Sequence, residues 1–382
     1  MTAAPATIAQ ADPLRSAAWR DAERILCVRL DNLGDVLMTT PALRALKSAS
    51  PARHLTLLAS PGGAAVAPYV PEIDDVIEYD APWVKQPTEA SVEACDELID
   101  ALYGGGYDAA VIFTVYSQSA LPAALACWLA RIPLRLAYCR ENPYQLLTDW
   151  VHDPEPHLQV RHEVQRQLDL VTAVGCRAAD ERLSFHPRAE DGLKAAAKLR
   201  AAGVDFDEPW IVVHPGASAP SRRYPLESFV AAVSALVDSC PRQVLVTGAH
   251  EEAPLARAIV DALPRRAFSL AGALGLGELG VVLQRAGLLI SNNTGPVHIA
   301  AAVGTPVVDL YALTNPQHTP WQVASRVLYH DVPCRFCYRS VCVQAHHDCL
   351  RLVSPQRVAQ AALELLARHD EVTAVSTQQE IA

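Results

Sequence analysis

The chain has 382 residues, 51% of them hydrophobic and 19% charged, with a formal net charge of −10. That length is more than one comfortable core and predicts two domains. The acidic balance excludes a nucleic-acid partner, whose phosphates demand a basic face, and no apolar run is long enough to span a bilayer.

Residues 1–22 are Ala-rich and polar, without the basic start and apolar stretch of a secretory signal, and are predicted as a disordered leader. Ile25 to Leu30 is predicted as a buried strand, followed by a loop at Asp31 to Gly34 and a helix to about Ala49. His54 to Ala59 and Val76 to Tyr79 are further strands. A helical stretch from Thr88 ends at Gly104-Gly105-Gly106, before the strand Ala109 to Phe113, a helix around Leu121 to Ala130 and a strand near Leu134 to Ala137. Val-, Ile- and Leu-rich strands alternating with helices imply parallel sheets covered on both faces.

The pattern lapses from Val151 to about His162, and a connecting helix over Glu163 to Val174 leads to a boundary near residue 180. Strands then return at Trp210 to His214, Gln243 to Thr247, Leu288 to Ser291 and Val307 to Tyr311, interleaved with helices. The fold class is α/β, with two doubly wound, Rossmann-like domains over 23–180 and 181–370 and a polar, frayed tail over 371–382. The alternative is one large sheet with insertions. In two such domains the ligands belong at the strand carboxyl ends, in a cleft between them.

Four loops at strand ends carry the chemistry. In Leu33-Gly34-Asp35-Val36, Asp35 starts a helix, where a carboxylate either caps backbone N–H groups or serves as a general base. In His214-Pro215-Gly216-Ala217-Ser218, followed by Arg222 and Arg223, small residues and two guanidinium groups suit a phosphate; the alternative is two solvated arginines. In Thr247-Gly248-Ala249-His250-Glu251-Glu252, the acid is placed to bind ribose hydroxyls or to sit at a helix start. In Ser291-Asn292-Asn293-Thr294-Gly295-Pro296-Val297-His298, a strand runs straight into a helix whose free N–H groups form an anion site.

Taken in order, these loops resemble glycosyltransferase family 9, the family of the ADP-heptose:lipopolysaccharide heptosyltransferases, and the likeness covers nearly all of Arg24 to His369. It implies a GT-B fold, with the acceptor on the N-terminal domain and the nucleotide sugar on the C-terminal one. It also implies an inverting transfer with Asp35 as the base, Arg222 on the diphosphate with Ser218 nearby, and Glu251 on the ribose. Thr294, Gly295 and His298 match the phosphate-facing helix start. One departure is Asn293, where better-known members carry an Asp that contacts the sugar; an amide donates and accepts but brings no charge. A helix start and Arg222 together stabilise a leaving diphosphate, so no cofactor or catalytic metal is expected.

Ten cysteines are present. Those scattered through apolar segments, such as Cys27, Cys127 and Cys176, are read as buried thiols of a reducing cytoplasm. Cys334, Cys337, Cys342 and Cys349 have the number and reach to hold a structural Zn or Fe, or form a loop of reduced thiols. A related cluster in members that modify secreted proteins resembles a metal-bound finger. The expected activity is transfer of a heptose or related sugar from ADP-heptose or a similar donor to lipopolysaccharide core or a related glycan. The alternatives are a protein heptosyltransferase of the autotransporter type, a nucleotide-sugar 2-epimerase, and a binding protein of the same fold. A lipid-linked acceptor would bring this cytoplasmic protein to the inner-membrane face.

Overall fold

The computed structural model describes residues 13–84, 91–240 and 242–381. The chain separates into two compact units between Ser184 and Phe185. In the first, the strands are β1 (Arg24–Arg29), β2 (His54–Ala59), β3 (Asp75–Glu78), β4 (Ala109–Ile112), β5 (Leu134–Cys139) and β6 (Asp149–His152). They form one parallel sheet in the order β3-β2-β1-β4-β5-β6. β1 lies at its centre, with Val28 opposite Leu58 on one side and Ile112 on the other.

The second unit repeats the scheme with β7 (Trp210–His214), β8 (Gln243–Val246), β9 (Ala267–Ser269), β10 (Leu289–Asn292), β11 (Val307–Leu310) and β12 (Ser325–Leu328). Its parallel order is β12-β11-β10-β7-β8-β9. Two separate six-stranded sheets replace the single-sheet alternative. In each unit the winding reverses between the first and fourth strands, so the loops leaving β1 and β4, or β7 and β10, diverge and open a crevice at the carboxyl edge. Every residue of β7, β8, β10 and β11 is buried, as parallel strands covered on both faces must be.

Helices do more than cover the sheets. In the first unit the helix Glu163–Thr172 buries charged and polar side chains, Glu163, Arg166 and Gln167. Arg166 donates to Asp153 Oδ1 at 2.8 Å and Glu155 Oε2 at 2.6 Å, and its guanidinium lies 4.2 Å from the Tyr138 ring centroid. In the second unit Val358, Ala362, Leu365 and Leu366 of the C-terminal helix join the same apolar core as Phe229, Val233 and Leu236.

Both chain ends correct the sequence reading. Within the supposed leader, Pro13–Asp21 is a helix. Its Trp19 is buried, and the Arg53 guanidinium donates to the carbonyls of Trp19, Ala22 and Leu46, tying the helix to the first unit. Residues 1–12 lie outside the described residues. At the other end, the helix Pro355–Ile381 continues through most of the segment read as a frayed tail. Among the described residues no helix is long and apolar enough to cross a membrane.

Candidate functional site

In the first unit the carboxyl edge is organised around a cation. Arg29 ends β1 with no solvent exposure, and its guanidinium reaches three carboxylates: Asp31 at 3.1 Å, Asp35 at 3.3 Å and Glu163 at 2.9 Å. Burial opposes its charge, yet Asp31, Glu163 and Asp35 together raise its pKa above the ordinary arginine value. Asp35 opens the helix Leu33–Ser48, and its other oxygen accepts from the Asn32 amide at 3.2 Å. The capping role of Asp35 is therefore present. One oxygen caps the helix, while the side chain keeps 16% of its surface open at the edge of the sheet.

Neighbouring loops complete this edge. Gln118, beyond β4, donates to Asp31 Oδ1 at 2.6 Å, so the crevice between β1 and β4 is bridged. Ser60, beyond β2, donates to the Asp31 carbonyl. Gly63 makes that approach feasible, because a Cβ there would stand 3.0 Å from the same carbonyl oxygen.

In the second unit the bridging groups are amides. The Asn292 Oδ1 accepts from the Tyr224 amide at 2.9 Å, and its Nδ2 donates to the carbonyls of Pro215 at 2.8 Å and Gly216 at 3.3 Å. One side chain thus joins the loops leaving β7 and β10. Thr294 follows as the N-cap of the nine-residue helix Gly295–Val303, in extended backbone, with Oγ1 turned back to the Asn292 carbonyl at 3.2 Å. Gly295 opens the helix, and its first turn presents N–H groups at the carboxyl edge of the sheet. His298, on the same helix, is buried rather than open to solvent.

The two arginines differ. Arg223 is exposed and spends its Nε on the Ala217 carbonyl at 2.8 Å. Arg222 is half-buried, its side chain makes no hydrogen bond or ion pair among the described residues, and it stands close enough to Asp309 for its charge to count there. Ser218 is exposed on the loop before them. Glu251 is also exposed, whereas the next acid, Glu252, turns inward. Glu252 accepts from the Ala249 amide at 2.8 Å and lies 3.9 Å from His214 Nε2. Burial lowers the His214 pKa and Glu252 opposes that shift. The Glu252 carboxylate packs onto Gly216, where a Cβ would fall 1.9 Å from its Oε1, so a larger residue there would have to displace the carboxylate. Asn293 donates to Asp309 Oδ2 at 3.0 Å and to the His318 carbonyl at 2.8 Å.

The late cysteine loop docks on this edge through its backbone. Ser221 takes two hydrogen bonds to it, from its amide to the Ser340 carbonyl at 3.0 Å and from its hydroxyl to the Arg339 carbonyl at 2.7 Å. The Phe336 and Tyr338 amides donate to the carbonyls of Leu313 and Thr314. The thiols of Cys334, Cys337 and Cys342 lie near enough to Cys349 to raise its pKa, after burial, which is the larger cause. Even so, among the described residues no three His, Cys, Asp or Glu side chains converge to hold a metal ion.

Arg29, Asn292 and Asp309 are the organising residues that sequence reasoning passed over. Each sits at a strand carboxyl end or inside a strand, and polar residues inside otherwise apolar strands are the signal that could have found them.

The model of glycosyltransferase family 9 (heptosyltransferase) matches residues 96–347. Lipopolysaccharide heptosyltransferase 3 of Escherichia coli K12 is 27% identical over 297 residues, which are 76% of this chain and 82% of that protein. Among solved structures, a family 9 glycosyltransferase from Veillonella parvula is similar with a TM-score of 0.75 at 23% identity, over 91% of this chain and 98% of the other. E. coli ADP-heptose lps heptosyltransferase II gives 0.71 at 21% identity, over 91% and 99%. The structural likeness establishes the GT-B fold class expected from the loops.

Removing the central cation of the first unit leaves three carboxylates facing one another. Arg29→Met is expected to cost about 3–5 kcal/mol, the range for breaking a buried ion pair from one side. Equilibrium urea unfolding measures it, and an unshifted midpoint would show the guanidinium to be dispensable.

Proposed function

The chain belongs to glycosyltransferase family 9, and we propose that it transfers a heptose or closely related sugar from an ADP-sugar to a hydroxyl of lipopolysaccharide core or a related glycan. One observation carries the reading. In the second unit an uncommitted arginine, Arg222, stands beside Asp309, which is bonded through Asn293 to the Thr294-Gly295 helix start. A helix N-terminus and a guanidinium free of internal partners are the two groups that a departing diphosphate requires.

The chemistry follows from charge. The acceptor hydroxyl gives its proton to Asp35 as its oxygen bonds to the anomeric carbon of the donor. The bond from that carbon to the diphosphate oxygen breaks, and its electron pair leaves on ADP. A single displacement of this kind inverts the anomeric centre. Negative charge grows on the diphosphate during the step, so groups fixed in advance at Thr294, Gly295 and Arg222 stabilise the transition state more than the ground state. Ser218 lies on the same diphosphate loop, His298 backs the first helical turn, and Glu251 is the acid for the ribose. Arg29 holds the Asp35 carboxylate in one orientation, so the base needs no reorganisation before it acts. The protein works in the cytoplasm, and a lipid-linked acceptor is met at the inner-membrane face.

No divalent metal takes part in this scheme, and the late cysteines carry no step. Added EDTA is expected to leave the initial transfer rate unchanged; immediate loss of activity in chelator would overturn the metal-free scheme.

Asp35→Asn is expected to slow transfer by about two to four orders of magnitude while ADP-sugar affinity stays near wild type. Turnover close to wild type would return Asp35 to helix capping alone.

Arg222→Ala is expected to weaken ADP binding and to slow transfer further, because the guanidinium meets the diphosphate in both states and more strongly as charge develops. Calorimetric titration with ADP checks it, and unchanged affinity would remove Arg222 from the donor site.

A further inference from the structure

Asp309 is a carboxylic acid in the middle of a buried parallel strand. It occupies β11, opposite Ser291 of β10, among Val307, Val308 and Leu310, and has no solvent exposure. Such a group is costly unless its hydrogen-bonding capacity is used. Burial pushes its carboxyl up to about 8, against the pull of the Asn293 hydrogen bond and the Arg222 charge. Its Oδ1 has no hydrogen-bond partner. What the side chain does make is one bond, from Asn293 Nδ2 to its Oδ2 at 3.0 Å.

That bond decides the orientation of an amide. Asn293 Nδ2 has two hydrogens, and the second goes to the His318 carbonyl at 2.8 Å. Turning the amide over would set Asn293 Oδ1 against that carbonyl, oxygen to oxygen, and would surrender that bond to an obligate acceptor. The Nδ2 side is therefore fixed inward, and Oδ1, which takes no hydrogen bond among the described residues, is the face left for a ligand. Asn293 immediately precedes Thr294 and Gly295, the helix start assigned above to the diphosphate.

We infer that Asp309 is a positioning residue that locks the Asn293 amide so that the donor sugar meets only Oδ1, a neutral acceptor for a sugar hydroxyl. The inference rests on the nucleotide-sugar reading of the second unit. It also excludes a carboxylate at position 293. An aspartate there would set a carboxylate oxygen against the His318 carbonyl with nothing to donate to it, so this chain recognises its sugar without charge at that point.

The test uses the full chain and two ligands, ADP and ADP-heptose, with binding followed for both and KM for the second. Asp309→Leu removes the acceptor at similar volume and frees the amide. It is expected to raise the KM for ADP-heptose about tenfold, the effect of one substrate hydrogen bond, with the Kd for ADP unchanged. Asp309→Asn keeps an oxygen for Asn293 Nδ2 and is expected to recover most of that loss. Because Asp309 acts through Asn293, the Asn293→Ala variant should be made no worse by adding Asp309→Leu. Asn293→Asp, which leaves Asp309 in place, is expected to raise KM more than Asn293→Ala, and this comparison decides the matter even where Asp309→Leu fails to fold.

Four results would overturn the inference alone: a wild-type KM in Asp309→Leu, an equal loss of ADP and ADP-heptose in that variant, additive effects in the double variant, or an Asn293→Asp protein with wild-type KM. A wild-type protein that binds neither ADP nor ADP-heptose would overturn the donor reading itself, and the inference with it.

Discussion

A guanidinium sealed beneath the first unit's carboxyl edge governs how that edge is built. Arg29 is fully buried and binds a carboxylate from the loop after its own strand, one from the following helix and one from a helix 134 residues away in sequence. Taking such a cation out of water costs several kcal/mol, and only convergent partners with good geometry repay it. Each partner in turn is held: Asp31 by Gln118, Asp35 by the Asn32 amide, Glu163 by Gln167 at 2.6 Å. The helix Glu163–Thr172 could not carry Glu163, Arg166 and Gln167 inward without these complements. The orientation of Asp35, the residue proposed to take the acceptor proton, is thus inherited from β1 and from a helix far along the chain.

The second unit solves the same problem without charge. Its two crevice loops are joined by Asn292, and its helix start is reached through Asn293. Amides satisfy the loops of the second unit and leave its electrostatics to the helix start and Arg222. The difference suits the ligands proposed for each unit, since an acceptor hydroxyl needs an oriented base and a nucleotide sugar needs uncommitted positive potential.

Much of this was legible in the sequence, for reasons that also mark where legibility stopped. β2 and β7 coincide with their predicted strands because each is a compact apolar run bounded by polar turns. The strand-to-helix turns carrying Asp35 and Thr294-Gly295 were equally clear, since Gly, Asp, Asn and Thr after an apolar run mark a helix start. β6, β9 and β12 went unread because they close or flank the sheets as short, partly exposed strands and carry no continuous apolar run. The helix Pro13–Asp21 was read as disordered because what orders it is tertiary: Trp19 is buried and Arg53, more than thirty residues on, grips the backbone carbonyls around it. Choosing between Glu251 and Glu252 depended on the phase of a single short turn.

Two adjacent asparagines at the end of β10 are held by different structural constraints. At position 292 the amide oxygen and nitrogen are both consumed, one by Tyr224 and the other by Pro215 and Gly216. Aspartate lacks the hydrogens, serine lacks the reach, and glutamine adds a methylene where the side chain is already sealed. A lineage that changed this residue would have to rebuild two loops at once. Position 293 keeps its oxygen outside those bonds, so its exchange would alter what the donor sugar proposed for this unit encounters while the turn survives. Heritable change of substrate can therefore accumulate one residue away from a site that architecture holds still.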